Sequence, residues 1–289
     1  MEWTPGGVSG DIEDRRDDSG GGGGGFGLGP FHFGLGGFVL LAILSLFFHR
    51  NLFVLFSGAP TSTQRIESRP DPARDQREQP EVQFVSFVLD DVQHNWDSML
   101  PESARVPYHH AKLVLFRNAY PSGCGLAQDA MGPFYCPEDE KVYLDLGFFD
   151  ELRQRFGAPG EFAQAYVIAH EVGHHVQKLL GIEPKVHRLQ QQRPDEANPL
   201  SVRLELQADC FAGVWGHTTE QRKIVNQSDV ESALGAAAAV GDDRLQRMGG
   251  GKVSPETFTH GSSAQRVHWF QQGLDSGQIS VCDTFRNAF

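Results

Sequence analysis

The sequence predicts an α+β domain that is rich in helices and has a small sheet, preceded by one transmembrane helix. Three observations carry this prediction. Apolar residues recur at steps of three and four in several long segments, as the buried face of a helix requires. Two short apolar segments read as strands, and one uncharged stretch is long enough to cross a bilayer. Several long helices with a few short strands are typical of an α+β domain.

The N-terminal part of the chain contains two segments of different composition, the first charged and glycine-rich and the second apolar. Residues 1–32 are charged and then rich in glycine, so they bury too little apolar surface to fold, and we expect a flexible tail. Residues 33–56 contain the uncharged run FGLGGFVLLAILSLFF and a further apolar run, roughly the ~20 residues that a bilayer core requires. A buried core helix and a cleaved signal peptide are the alternatives, but the long acidic lead and Pro60 count against cleavage. We therefore expect an uncleaved, single-pass anchor.

Beyond the anchor, residues 57–81 are expected to form a solvated linker and residues 82–289 the folded domain. The expected elements are, in order, a helix over 81–100, strands over 111–116 and 141–146, and helices over 161–180, 200–216, 229–247 and 262–274. The second strand segment, KVYLDLGFF, is either an edge strand along which an extended peptide pairs or an ordinary core strand.

Charge and cysteine content narrow the function. A net charge of -12 and a pI of about 5.4 leave no basic field for nucleic acid, so a nucleic-acid partner is disfavoured. The four cysteines allow three disulfide connectivities or free thiols, and their spacing alone does not decide. Cys124 and Cys136 bound a connection where a local disulfide is expected, which leaves Cys210 and Cys282 as the second pair. Arginines on both sides of the anchor leave its orientation open, but two disulfides favour an extracytoplasmic domain.

The stretch AHEVGHHVQ, residues 169–177, has the spacing of a catalytic metal site. His170 and His174 are four apart on a predicted helix, so both imidazoles project from one face and can hold one ion. Glu171 lies beside the first histidine. In this HExxH arrangement zinc supplies Lewis acidity and the glutamate removes a proton from the attacking water.

A catalytic zinc requires a third protein ligand. His175 points about 100° away from His174 around the helix, so we expect it to be a bystander. The segment RLELQADC places Glu205 and Asp209 four apart on a second helix. Glu205 is the predicted third ligand, and Asp209 is predicted to accept the free N–H of a ligand histidine; the alternative is that both acids face solvent.

These residues resemble a known group of enzymes. HExxH followed by ExxxD is typical of the gluzincin zinc peptidases, and AHEVGHHVQ with ELQADCFAGVW is similar to the membrane-anchored neutral zinc metallopeptidases of bacteria. IEDRR, GPFYCPEDEKVYLDLGFF and FTHGSSAQRVHWF also resemble blocks of that family, so the resemblance covers most of the chain. It implies a zincin-like domain with zinc held by His170, His174 and Glu205. It further implies that Glu171 is the catalytic base and that Asp209 supports a ligand.

A second resemblance concerns THGSSAQR. His260 and Arg266 have the spacing of a histidine and an arginine near the active site of Ste24 and HtpX type metallopeptidases, although the prolines that follow the histidine there are absent here. His260 is therefore either an oxyanion or substrate contact or a cap of the next helix, and Arg266 is expected to be a structural ion-pair partner.

The functional hypothesis is a membrane-anchored zinc endopeptidase that acts on a peptide or protein. Its rival is a membrane-anchored binding or scaffolding module with a structural zinc. Structural zinc sites are usually closed by four protein ligands, and such a site has no use for Glu171.

Overall fold

The computed structural model describes residues 1–18, 72–128, 132–154, 156–158, 160–250 and 252–286. The anchor predicted at 33–56 and the linker up to residue 71 lie outside these ranges. Across the described ranges, no helix combines the length and the apolar character that a membrane crossing needs.

The described elements form a helix-rich α+β domain with small sheets. The strands are β1 (Ile12–Asp14), β2 (Lys112–Phe116), β3 (Ala119–Ser122), β4 (Gly125–Gln128), β5 (Phe134–Cys136) and β6 (Lys141–Asp145). The helices are α1 (Pro72–Ala104), α2 (Gly147–Gln154), α3 (Glu161–Leu179), α4 (Ile182–Gln192), α5 (Ala197–Gln221), α6 (Gln227–Ala239), α7 (Asp242–Met248) and α8 (Ser263–Ser276).

The main sheet has the strand order β1-β2-β6-β5. The strands β1, β2 and β6 run parallel, and β5 runs antiparallel to β6, with Tyr135 opposite Val142. The edge-strand reading of KVYLDLGFF is therefore wrong, because β6 is paired on both sides and is buried from Val142 to Asp145. Continuous burial is what a strand in the interior of a sheet requires. β5 takes the edge position instead.

Residues 1–18 belong to the folded domain, which corrects the expectation of a flexible tail. β1 pairs in parallel with β2, with Ile12 opposite Leu113. Arg16 is only 4% exposed, and its guanidinium donates to the carboxylate of Glu78 at 2.8 Å. A buried arginine needs such a partner, so the charge that suggested a solvated tail instead fixes the segment to α1.

The start of the domain also differs from its expected place. Residues 72–81, which were expected in the linker, form the first turns of α1. Arg117, which follows β2 and is 8% exposed, donates to Asp75 at 2.5 Å and to Glu78 at 2.7 Å. Asp75 and Glu78 thus form ion pairs with a residue that follows β2. The charged residues of this segment therefore belong to the folded domain and not to a solvated linker.

Helix α3 lies at the centre of the core and contacts α1, α5 and α6. The helix expected over 229–247 is divided into α6 and α7 at Gly241, whose added Cβ would lie 2.3 Å from the backbone N of Ser263. Helices α5 and α8 pack closely against each other. A Cβ at Gly213 would lie 2.0 Å from the carbonyl O of Phe270, so only glycine permits this approach.

The structure joins Cys124 to Cys136 and Cys210 to Cys282, as predicted. The first bond closes the connection that leads into β5. The second ties the segment after α8 to α5, beside the residues predicted to form the metal site.

We expect Gly213→Ala to lower the free energy of unfolding by about 3 kcal/mol or more, because the new methyl group forces α5 and α8 apart. Gly235→Ala is the matched control, since nothing lies within 4 Å of its added Cβ in α6. The control should be neutral or stabilise by about 0.5 to 1 kcal/mol. Urea unfolding followed by circular dichroism measures both, and equal effects would contradict this account of the packing.

Candidate metal centre

The predicted metal ligands lie where α3 and α5 cross. Helix α3 is buried over most of its length, so His170 and Glu171 are only 6% and 7% exposed. Gly173 lies between the two histidines of the motif, and its added Cβ would lie 3.1 Å from the carbonyl O of Ala208 on α5. The absence of a side chain here lets the two helices approach closely enough for their ligands to meet.

Three side chains converge at this crossing. Ligand atoms of His170, His174 and Glu205 all lie within 4.8 Å of one another. Nε2 of His170 lies 3.2 Å from Oε2 of Glu205, and Nε2 of His174 lies 3.6 Å from Oε1. The side chains of His174 and Glu205 are 18% and 19% exposed, so the group is reachable from solvent. Two imidazoles and a carboxylate are a donor set that zinc prefers at catalytic sites.

The other ring nitrogen of each histidine has its own partner. Nδ1 of His170 lies 2.9 Å from Oδ1 of Asp209, and Nδ1 of His174 lies 2.9 Å from Oε1 of Gln177. Both partners are acceptors, so they place the proton on Nδ1 and leave each Nε2 lone pair free for a metal. Gln177 is itself held by α5, because its amide donates to the carbonyl O of Leu204 at 2.7 Å.

Asp209 is completely buried and receives hydrogen bonds from two further side chains. The guanidinium of Arg266 donates to both carboxylate oxygens at 2.8 Å, and the hydroxyl of Tyr166 donates to Oδ1 at 2.5 Å. Arg266 is thus the ion-pair partner that the sequence indicated, and its partner is the acid that orients His170. Arg266 neutralises the charge of Asp209, and Asp209 still accepts a hydrogen bond from Nδ1 of His170.

Glu171 lies beside the ligand group. Burial raises the pKa of its carboxyl group to about 7; His170 opposes this shift and Glu205 adds to it. The backbone amide of Tyr135, in the edge strand β5, lies close enough to this carboxylate to oppose the rise in its pKa. A carboxyl group with a pKa near neutrality can both accept and return a proton in one reaction cycle.

His260 lies on the same side of the domain, in the loop before α8. Asp242 fixes this loop, because its Oδ2 accepts the backbone N–H groups of Thr259, His260 and Gly261. The His260 side chain is 42% exposed, and its Nδ1 lies 3.2 Å from Oδ1 of Asp242. Burial disfavours its charge, but Glu205 and Asp242 together raise the pKa of His260 above its usual value. His260 is not the cap of α8, since Ser262 forms the capping box with Gln265.

His175 does not join the ligand group. It is fully buried on the other side of α3, with Nδ1 3.0 Å from the hydroxyl O of Tyr135 and Nε2 2.7 Å from the carbonyl O of His109. His175 is therefore turned away from His174 around the helix, as expected. It is not a bystander, because both of its ring nitrogens have hydrogen-bond partners.

Four residues of the site were not found from the sequence. Tyr166 and Gln177 did have a signal, since they lie four residues before His170 and three residues after His174 on the same helix. Tyr135, in β5, and Asp242, the first residue of α7, had none, because only the packing of elements distant in the chain brings them to the site.

The fold and the ligand group together define a helix-rich α+β protein with a candidate His/His/Glu metal centre. Over residues 1–285 the chain matches the family described as "Putative neutral zinc metallopeptidase", and it belongs to that family. The cofactor that the family implies is Zn²⁺, which the three converging side chains fit.

Several relatives are similar over much of their length. The "Uncharacterized protein YpfJ" of Escherichia coli strain K12 is 47% identical over 291 aligned residues, which cover 99% of each chain. The "Uncharacterized protein Rv2575" of Mycobacterium tuberculosis strain H37Rv is 44% identical over 204 residues, or 67% of each chain. No solved structure matches the chain.

We expect Asp209→Asn to weaken zinc binding by about 10- to 100-fold, because the amide cannot neutralise Arg266 and orients His170 less strongly. Competition with a chromophoric chelator measures this affinity on the folded protein. Tyr166→Phe removes a single hydrogen bond to the same carboxylate and should have a smaller effect. Asp195→Asn, on the exposed surface, is the control. Unchanged zinc affinity in Asp209→Asn would contradict the supporting role of this carboxylate.

Proposed function

We propose that the protein is a zinc-dependent endopeptidase that hydrolyses peptide bonds with Glu171 as the general base. The observation that carries this proposal is the position of Glu171. Its buried carboxyl group has a pKa near 7 and lies beside a ligand group that offers three protein side chains and is reachable from solvent. Structural zinc sites usually have four protein ligands, so the three-ligand set favours catalysis over the scaffolding alternative.

His170, His174 and Glu205 would hold the metal. When bound, zinc supplies Lewis acidity toward a carbonyl group and a water molecule. Glu171 removes a proton from the attacking water and delivers it to the amine that leaves. The backbone of Tyr135 lies beside this carboxylate, so the proposed base stands next to β5.

His260 is the proposed oxyanion contact. Asp242 holds its ring through Nδ1, which leaves Nε2 to donate to the oxygen that gains negative charge when the carbonyl is attacked. Its raised pKa keeps the ring protonated over a wider pH range, and only the protonated ring donates from both nitrogens.

The proposed substrate lies in an extended conformation along β5. Among the described strands β6 alone pairs with β5, and the backbone of Tyr135 lies beside the proposed catalytic base. A peptide that adds to the open edge of a sheet gains backbone hydrogen bonds that are independent of its sequence. β5, and not β6, is therefore the edge strand along which we propose that the extended peptide pairs.

We expect Glu171→Gln to lower kcat by about 10²- to 10⁴-fold, because the amide cannot accept the proton of water. Zinc content should stay the same, since Glu171 is not one of the three converging ligands. The measurement is cleavage of a fluorogenic peptide library by the full-length protein, with zinc determined by mass spectrometry. Glu183→Gln, on the next helix, is the control. If the zinc-loaded wild type and Glu171→Gln are equally inactive on the library, the enzyme proposal fails.

We expect His260→Gln to lower kcat/KM by about 10²-fold, the usual loss when one oxyanion donor is removed. Zinc affinity should change little, because His260 lies outside the ligand group. Asp242→Asn should reproduce part of the loss by releasing the loop that carries His260. The exposed His268→Gln serves as the comparison. Wild-type kcat/KM in His260→Gln would exclude this residue from the reaction.

A further inference from the structure

His175, the third histidine of the motif, has a fully determined hydrogen-bond arrangement. Its Nε2 must donate to the carbonyl O of His109, since a carbonyl can only accept, and this leaves Nδ1 as an acceptor. The hydroxyl of Tyr135 therefore donates to Nδ1, at 3.0 Å. His175 in this way joins α3 to the edge strand β5 and to the segment that precedes β2.

Tyr135 thus approaches α3 at two points that are one helical turn apart. Its side chain bonds to His175, and its backbone amide lies beside the carboxylate of Glu171. On the other side of the strand, Tyr135 is opposite Val142 of β6. The hydrogen bond to His175 and the pairing with β6 together set the distance between the proposed catalytic base and the edge of the sheet.

We infer that His175 and Tyr135 form a positioning pair that holds β5 at the correct distance from Glu171 for an extended peptide. This inference rests on the proposed peptidase function. The pair does not touch the reacting atoms, so its loss loosens the strand and leaves the chemistry at Glu171 unchanged. The effect falls on the binding of peptides long enough to pair with β5.

The test is Tyr135→Phe, which removes one oxygen atom and keeps the ring. For an extended peptide, KM should rise about 2- to 10-fold, the usual effect of one lost hydrogen bond, with kcat within twofold of wild type. For a short substrate that does not reach along the strand, both constants should stay the same. Tyr143→Phe, which removes a hydroxyl on β6 that bonds to Asp139, is the matched control.

Two further measurements separate the possible failures. Tyr135→Phe combined with His175→Gln should raise KM no more than the larger single effect, because both changes break the same bond. An unchanged KM, or a loss confined to kcat, would overturn the inference.

If the wild type hydrolyses no peptide, the proposed function fails, and amide exchange at residues 134–136 tests the pair alone. Faster exchange in Tyr135→Phe would support it, and unchanged exchange would overturn it.

A second, independent observation concerns residues 1–18. They enter the domain through the β1–β2 ladder and the buried Arg16, and the ring of Trp3 packs edge-on against Phe84 at 5.4 Å. The amino group of Met1 also lies 2.8 Å from Oδ1 of Asp229, at the start of α6. These contacts spread over α1, α6 and the sheet, so the segment is part of one folded body.

The two described ends that flank residues 19–71 are held together. Arg16 bonds to Glu78, and Arg117 bonds to Asp75, Glu78 and the carbonyl O of Arg16. A bilayer core of about 30 Å cannot lie between groups that are in hydrogen-bond contact.

We propose that residues 1–18 and the domain from residue 72 onward lie on the same side of any membrane that the intervening chain contacts. A single crossing between residues 18 and 72 would require β1 to leave the sheet and Arg16 and Glu78 to separate. The single-pass anchor predicted at 33–56 lies outside the described residues and stays a prediction, which this proposal opposes.

Labelling of the full-length protein in intact cells tests this topology. Gly6→Cys and Gly235→Cys each place a thiol where no described residue lies within 4 Å of the added Cβ. A membrane-impermeant maleimide should label both variants in intact cells, or should label both only after lysis. Labelling of one variant in intact cells and of the other only after lysis would overturn the proposal.

Discussion

The buried carboxylate of Asp209 is the interaction on which the site depends. It lies on α5, and it accepts hydrogen bonds from His170 and Tyr166 on α3 and from Arg266 on α8. A buried charge without partners costs several kcal/mol, so each of these three helices is held to the others by the need to satisfy one group. The same group orients His170, a predicted metal ligand. Stability and metal binding therefore share a single set of contacts at this point.

The electrostatic balance of the site follows from that arrangement. Arg266 cancels the charge of Asp209, so among the described residues Glu205 and Glu171 are the acids left near a bound cation. Glu205 belongs to the ligand group, whereas Glu171 lies outside it, as the proposed base requires. A second uncancelled acid behind His170 would have made the site strongly negative and would have raised the pKa of Glu171 further.

The sequence predicts the parts of the site that lie on single helices. Positions four apart on a helix share a face, which is enough to pair His170 with His174 and Glu205 with Asp209. The sheet was harder to predict because its order depends on contacts between distant segments. β5 has only three residues, and β1 reads as a charged run whose partner lies far along the chain. The break between α6 and α7 had a visible signal in Gly241, but helical periodicity on both sides concealed it.

The parallel pairing of β1 with β2 also has a consequence for the order of folding. β1 is synthesised first, yet Ile12 has no partner until Leu113 has been made, and β2 needs β6 on its other side. Closing so long a loop costs entropy before any contact compensates for it, which slows folding. Until β1 arrives, β2 presents an open edge of the kind that recruits strands from other chains. The nascent protein is therefore exposed to aggregation in the interval between the synthesis of β2 and the pairing of β1 with it.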